Sequence, residues 1–136
     1  MNVCNGPWLV VGDFNIILQA IDKNNSNLNC PMMHRFSRLI EDVALKEIPL
    51  HGRRFTWSNQ REAPVLIKLD RVFCSVDLEL IFPNVLLQSS ASIDSDHYPL
   101  ILELHDNVSG KRSRNQDDCR SGGCEKSAGC RAVLLR

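Results

Sequence analysis

The chain has 136 residues and a mass of 15.4 kDa, which corresponds to one domain of ordinary size. Hydrophobic residues make up 43% and charged residues 24%, values that exclude wholesale disorder and a collagen-like fibre. No apolar run approaches the roughly 18 residues of a membrane-spanning helix, and the first seven residues do not resemble a secretory signal. We therefore expect no membrane segment, and a nuclear or cytoplasmic location stays open.

The charge is unevenly distributed along the chain. Residues 1–105 carry 9 Lys and Arg against 12 Asp and Glu, whereas residues 106–136 carry 7 against 4. We expect this basic tail to be disordered, because it is rich in Ser, Gly and Cys and shows no hydrophobic periodicity. Free thiols are the default for all six cysteines. A zinc site is the less favoured alternative for the tail, because the five- and six-residue spacings of its cysteines match no zinc finger: Cys119, Cys124 and Cys130.

The body of the chain begins with a pattern typical of a buried strand. Trp8–Val11 is short, apolar and rich in β-branched residues, and this favours a central strand that is covered on both faces. The few residues before it supply no neighbouring strand, so we expect other strands on at most part of its flanks and an apolar face that a full domain would cover. Asn24–Asn29 is polar, which predicts a loop. Pro31–Leu45 is predicted to be an amphipathic helix, because its apolar residues recur at spacings of three, four and three: Met33, Phe36, Ile40 and Val43.

Short strands dominate the rest of the body. Four runs predict them: Arg53–Ser58, Val65–Cys74, Val85–Ser89 and Tyr98–Leu104. The first two should form a hairpin, and the alternation within the second places Lys68 and Asp70 on one face. Ser75 is a candidate N-cap for one helical turn, which Pro83 would end. The predicted class is α/β, with one main helix and mostly antiparallel strands.

The end of the first strand carries the first of three chemically suggestive clusters. Asp13 and Asn15 are two residues apart, so both side chains point to one side if the extended path continues. A carboxylate beside an amide can bind a hard cation and donate a hydrogen bond to a phosphoryl oxygen. Ordinary turn chemistry is the alternative interpretation.

Two further clusters lie in the second half of the body. Asp70 falls inside a predicted strand, where Asp is depleted, and the alternative is a surface carboxylate paired with Lys68 or Arg71. Asp96 and His97 precede the last strand. A histidine beside a carboxylate can act as a general acid or base, or can stabilise charge on a phosphate. A loop histidine without a role is the alternative.

Taken in order, these clusters resemble the motifs of the endonuclease/exonuclease/phosphatase superfamily, which includes apurinic/apyrimidinic endonucleases and DNase I. The motifs are Gly12-Asp13-Phe14-Asn15, Leu69-Asp70-Arg71 and Ser95-Asp96-His97. Together with Arg53-Arg54-Phe55-Thr56-Trp57-Ser58-Asn59, they are similar to the endonuclease domain of plant-type non-LTR (LINE) retrotransposons. The resemblance covers about Pro7–Leu104.

The resemblance implies a role for each site residue. Asp13 would handle the attacking water, and Asn15 would stabilise the transition state. His97 would contact the scissile phosphate, oriented by Asp70, and Asp96 would be the carboxylate next to the metal. These five side chains should therefore converge, with Asp70 within hydrogen-bond reach of His97, at about 2.6–3.2 Å.

The resemblance also implies a cofactor and a partner. The family reaction is phosphodiester hydrolysis assisted by Mg²⁺, with DNA as the substrate. Trp57 would lie near the DNA-binding surface, and Arg53 and Arg54, together with the basic tail, are the residues by which a weak nucleic-acid-binding module would contact nucleic acid. A core position in the sheet is the alternative for Trp57.

One departure from the family pattern is large. The family fold is a four-layer α/β sandwich of two similar halves, and the resemblance here extends only to the second half. The first half carries the glutamate that is the family's main metal ligand. We therefore expect residues 1–105 to be an incomplete endonuclease domain that is inactive unless another chain supplies the missing half. The alternative is a non-catalytic remnant or a weak nucleic-acid-binding module.

Overall fold

Three small sheets and two helices make up the computed structural model, in agreement with the predicted mixture of helix and strand. The structure describes residues 6–91 and 94–105 together with the backbone of residues 131–134. The strands are β1 (Leu9–Asp13), β2 (Leu45–Glu47), β3 (Leu50–His51), β4 (Trp57–Ser58), β5 (Leu66–Ile67), β6 (Asp70–Ser75), β7 (Leu86–Ser89), β8 (Leu100–Glu103) and β9 (Arg131–Leu134). The helices are α1 (Cys30–Asp42) and α2 (Val76–Ile81), and Ala20–Asp22 forms a 3₁₀ turn.

The first sheet is antiparallel, in the order β1-β6-β2. The central strand is β6, in which every residue is buried. The central position that the apolar pattern of Trp8–Val11 favours is therefore wrong for the described residues, because β1 pairs only with β6 and Val11 is 42% exposed. The expectation of strands on only part of its flanks is confirmed. The β1–β6 register runs from Leu9 opposite Cys74 to Asp13 opposite Asp70. This register positions the site described below.

The second sheet has the order β3-β7-β8-β9, and β4 pairs with β5 in the third. The β4–β5 pairing confirms the predicted hairpin, although each strand has only two residues. The strand β9 lies in the predicted disordered tail and pairs with β8. The expectation of disorder is thus wrong for residues 131–134, because apolar Ala-Val-Leu can extend the open edge of β8. The other tail residues, 106–130 and 135–136, lie outside the described residues.

Helix α1 confirms the predicted amphipathic helix, but it ends earlier than Leu45. Asn29 is the N-cap, and its side chain accepts a hydrogen bond from the Met32 amide at 3.2 Å. Ala44 has a φ of +52°, a left-handed conformation that stops the helix and directs Leu45 into β2. Phe36 packs its buried ring against Phe14 and Phe73 and thereby fixes the helix on the first sheet.

The main core lies between the first two sheets and α2. Its buried members are Ile48, Val72, Cys74, Leu78, Leu87, Leu100 and Leu102. Ser75 caps α2 by accepting the Leu78 amide at 3.3 Å, as predicted. No helix among the described residues is long and apolar enough to cross a membrane.

Candidate active site

Three ionisable side chains from distant parts of the chain meet at the end of the first sheet. Asp13 and Asp70 are directly opposite each other in the β1–β6 register, so their side chains share one face. One potential ligand atom from each of Asp13, Asp70 and His97 lies within 4.8 Å of the other two. We call these three residues the acid–histidine cluster. Two carboxylates at opposed strand positions repel each other, so a cation or a donor is needed to offset the repulsion.

His97 supplies such a donor. Its Nδ1 lies 2.9 Å from Asp70 Oδ2, within the range that the resemblance implied. Asp70 is only 3% exposed, and an ionised carboxylate can only accept. Donation to an ionised Asp70 would place the proton on Nδ1 and would leave Nε2 as the ring nitrogen available to another group.

Short strand pairings hold His97 in place. The segment Asp96–Tyr98 runs antiparallel to β4, with an isolated bridge between Trp57 and His97. The Ser58 amide donates to the Asp96 carbonyl at 3.0 Å, and the Tyr98 amide donates to the Thr56 carbonyl at 2.8 Å. His97 is thus fixed by backbone pairing as well as by its side chain.

An irregularity between β5 and β6 separates the faces of Lys68 and Asp70. The predicted strand Val65–Cys74 is interrupted at Lys68 and Leu69, and the prediction that Lys68 and Asp70 share a face is wrong. Lys68 Nζ and Arg71 Nη1 both contact Glu47 Oε1 at 2.6 Å. In a regular strand, residues three apart lie on opposite faces. The alternation is therefore broken in the manner of a β-bulge. Lys68 and Arg71 share one face of the chain, and Asp70 lies on the other face with Asp13.

The alternative of a surface Asp70 paired with Lys68 or Arg71 is therefore wrong. Both basic residues belong to a buried ion network on the other face of β6. Arg71 is 1% exposed, and its Nη2 contacts Asp22 Oδ2 at 2.5 Å. The Asp22 carboxylate also accepts the amides of Leu18 and Gln19. No sequence pattern linked these residues, because the ion pair joins positions 49 apart.

Asn15 does not follow the predicted geometry. Its φ of +54° is left-handed, so the extended path that would align it with Asp13 ends there. The Asn15 amide donates to Asp13 Oδ1 at 2.9 Å, which is the turn chemistry considered as the alternative. Asn15 lines a separate cavity of about 260 Å³ together with Met33 and Leu69.

Asp96 is also outside the acid–histidine cluster. Its Oδ2 accepts the indole N–H of Trp57 at 2.8 Å, and the Asp96 side chain is exposed. Trp57 itself is half-buried and pairs with His97, so it lies beside the cluster. Trp57 therefore orients the Asp96 carboxylate next to the cluster.

Arg53 and Arg54 lie away from the cluster. They border a cavity of about 540 Å³ that Asp22, Glu47 and Lys68 also line. Because Asp22 and Glu47 are the partners of Arg71, this cavity is on the face of β6 opposite Asp70. Arg53 stacks on the Tyr98 ring at 3.9 Å, and Arg54 donates to the Ile21 carbonyl at 2.8 Å.

The donor set of the cluster fits a Mg²⁺ ion in part. Mg²⁺ prefers oxygen ligands and is commonly held by one or two carboxylates, with water and substrate phosphate completing six positions. Asp13 and Asp70 provide two carboxylates on one face. The imidazole of His97 suits softer ions better, and its Nδ1 is already engaged with Asp70.

Comparison with models of protein families, with curated proteins and with solved structures finds no match to this chain.

Proposed function

We propose that the acid–histidine cluster binds a phosphodiester of DNA and belongs to a Mg²⁺-dependent endonuclease of the endonuclease/exonuclease/phosphatase type, of retrotransposon origin. In this proposal residues 1–105 correspond to the second half of a four-layer α/β sandwich. The observation that carries the proposal is the Asp70–His97 contact of 2.9 Å with Asp13 beside it. The motif resemblance required this contact between residues 27 positions apart.

His97 acts on the phosphate. With Nδ1–H held by Asp70, the protonated imidazole donates from Nε2 to a non-bridging phosphate oxygen and stabilises the charge that grows there. Asp70 positions the ring and compensates its positive charge. Because Asp70 is buried and His97 is half-buried, water competes weakly for this pair.

Asp13 accepts a proton from the attacking water, since its carboxylate lies on the same face as the dyad. Asp13 and Asp70, with Asp96 nearby, would hold a Mg²⁺ ion, which would supply Lewis-acid stabilisation of the phosphate charge. Asn15 donates to the transition state only after its side chain turns toward the cluster.

A second candidate function is nucleic-acid binding without hydrolysis. Arg53 and Arg54 form no ion pair with a carboxylate in the part of the chain that the structure describes. Two such guanidinium groups beside one cavity suit a phosphate backbone. On this proposal, Arg53→Ala would weaken DNA binding and His97→Ala would not.

The test is a titration of the ¹⁵N-labelled chain with a short DNA duplex in Mg²⁺, followed through the histidine ring signals. We expect the His97 signals to shift, and the signals of His34, which is exposed on α1, to stay unchanged. His97→Ala should weaken binding, whereas the matched control His34→Ala should not. An unchanged His97 spectrum at saturating DNA would overturn the proposed function.

We expect no nicking of supercoiled plasmid by this chain in Mg²⁺, because in this proposal residues 1–105 are only the second half of the sandwich, and the first half would carry the glutamate that is the family's main metal ligand. Gel separation of supercoiled and nicked plasmid measures this. Nicking that disappears in His97→Ala would contradict the expectation and would mean that the cluster suffices for hydrolysis.

A further inference from the structure

Thr56 connects the segments that carry the two members of the dyad. Its side-chain Oγ1 accepts hydrogen bonds from the amides of Leu69 and Asp70, both at 2.9 Å. Its carbonyl accepts the Tyr98 amide at 2.8 Å, and the residue is 0% exposed. We propose that Thr56 is the positioning residue of the Asp70–His97 pair, an inference that rests on the proposed function of that pair.

The hydroxyl of Thr56 sets the direction of Asp70. In a regular strand, successive N–H groups point to opposite sides, so one oxygen cannot accept from both. The Leu69 and Asp70 amides do share one oxygen, which stabilises the irregular backbone at this point. Without the hydroxyl, two buried N–H groups lose their acceptor. The backbone at Leu69 and Asp70 would then shift, and the Asp70 carboxylate would move with it relative to His97.

The backbone of Thr56 sets the position of His97. The Tyr98 amide donates to the Thr56 carbonyl. Trp57, which follows Thr56 and begins β4, forms the bridge with His97. The hydroxyl therefore holds one member of the pair and the carbonyl holds the other. Thr56 is therefore the residue that contacts both segments of the pair, alongside the β1–β6 register and the Ser58–Asp96 hydrogen bond.

The test compares Thr56→Val, which removes only the hydroxyl, with Thr56→Ser, which keeps it. Ser75→Ala is the matched control, because the Ser75 hydroxyl is also buried and also accepts two amides, those of Trp8 and Leu78. The readout is the tautomer of His97 in ¹⁵N NMR spectra at about pH 8, where most imidazoles are neutral. A general loss of stability would not change this tautomer selectively.

We expect the Nδ1–H form of His97 in the unmodified chain, in Thr56→Ser and in Ser75→Ala. In Thr56→Val we expect this form to be replaced by the Nε2–H form that an unconstrained imidazole favours. Retention of Nδ1–H in folded Thr56→Val would overturn the inference, and so would its loss in Thr56→Ser or Ser75→Ala.

If Thr56→Val does not fold, native-state amide hydrogen exchange of the unmodified chain tests the inference about Thr56 instead. The amides of Leu69, Asp70 and Tyr98 should then share one protection factor, and differences above about tenfold would overturn the inference. These measurements need no DNA. Suppose that Thr56→Val loses the Nδ1–H form of His97, and that DNA does not shift the His97 signals of the unmodified chain. Thr56 would then be supported as the positioning residue, and only the proposed function would be refuted.

Discussion

Arg71→Met is expected to destabilise the fold more than any other single loss in the ion network. Arg71 Nη2 contacts Asp22 at 2.5 Å and Nη1 contacts Glu47 at 2.6 Å, and the Arg71 side chain is fully buried. After the substitution, Glu47 keeps Lys68 as a partner. Asp22 keeps only backbone amides and becomes a buried, uncompensated charge.

The magnitude follows from that orphaned carboxylate. Removing one partner of a buried ion pair typically costs about 3–5 kcal/mol, a large part of the roughly 5–15 kcal/mol that stabilises a domain. Adding Asp22→Asn to Arg71→Met should recover about 1–3 kcal/mol, because an amide oxygen still accepts the two backbone amides and carries no charge. Lys68→Met is the matched control and should cost less than Arg71→Met, because Glu47 then keeps Arg71 as its partner and no carboxylate of the network is left without a cation.

Urea unfolding followed by the fluorescence of the two tryptophans, Trp8 and Trp57, measures these free energies. The comparison requires equal m-values among the variants. A loss of under about 1 kcal/mol for Arg71→Met would refute the reasoning. So would a double variant that is no more stable than Arg71→Met.

Two further predictions concern single ionisable groups. Asp13→Asn should leave the free energy of unfolding unchanged or raise it by up to about 1 kcal/mol, because it removes a like charge opposite Asp70. Urea titrations measure this, and a decrease of about 1 kcal/mol in the free energy of unfolding would contradict the prediction. Burial, with a smaller contribution from Glu79, raises the pKa of the Cys74 thiol. As the pH rises, the folded state therefore keeps this proton to a higher pH than the unfolded chain does. The contribution of the thiol to the free energy of unfolding is complete below the unfolded thiol pKa of about 8.5, and it is lost as pH rises through the raised folded pKa. Thermal unfolding of the chain and of Cys74→Ala across that range should show a shallower alkaline decline in the variant, and identical slopes would contradict the assignment.

Local patterns predicted most of the elements, because those depend on neighbouring residues. Asn29 and Ser75 cap helices as such residues commonly do. The strand Val65–Cys74 looked continuous because its apolar alternation is continuous. Its interruption depends on Thr56, 13 and 14 positions away from the amides it binds, and no local pattern encodes that contact. The prediction that Asn15 points to the same side as Asp13 is wrong for a local reason. It assumed that the extended path continues past Asp13, whereas Asn15 has a left-handed conformation.

The opposed carboxylates are the strongest physical reason to regard the cluster as functional. A fold selected only for stability gains nothing by placing Asp13 and Asp70 at paired positions of neighbouring strands, one of them buried. Here the cost is offset in part by the Nδ1–H of His97, and the backbone departs from regular strand geometry to make that contact. Local rules are broken mainly where function requires it. Suppose that the site only stabilised the fold. A double variant in which apolar residues of similar size replace both Asp70 and His97 would then be as stable as the unmodified chain or more stable, and its DNA binding would be unaffected. The proposed function requires instead that this double variant lose DNA binding.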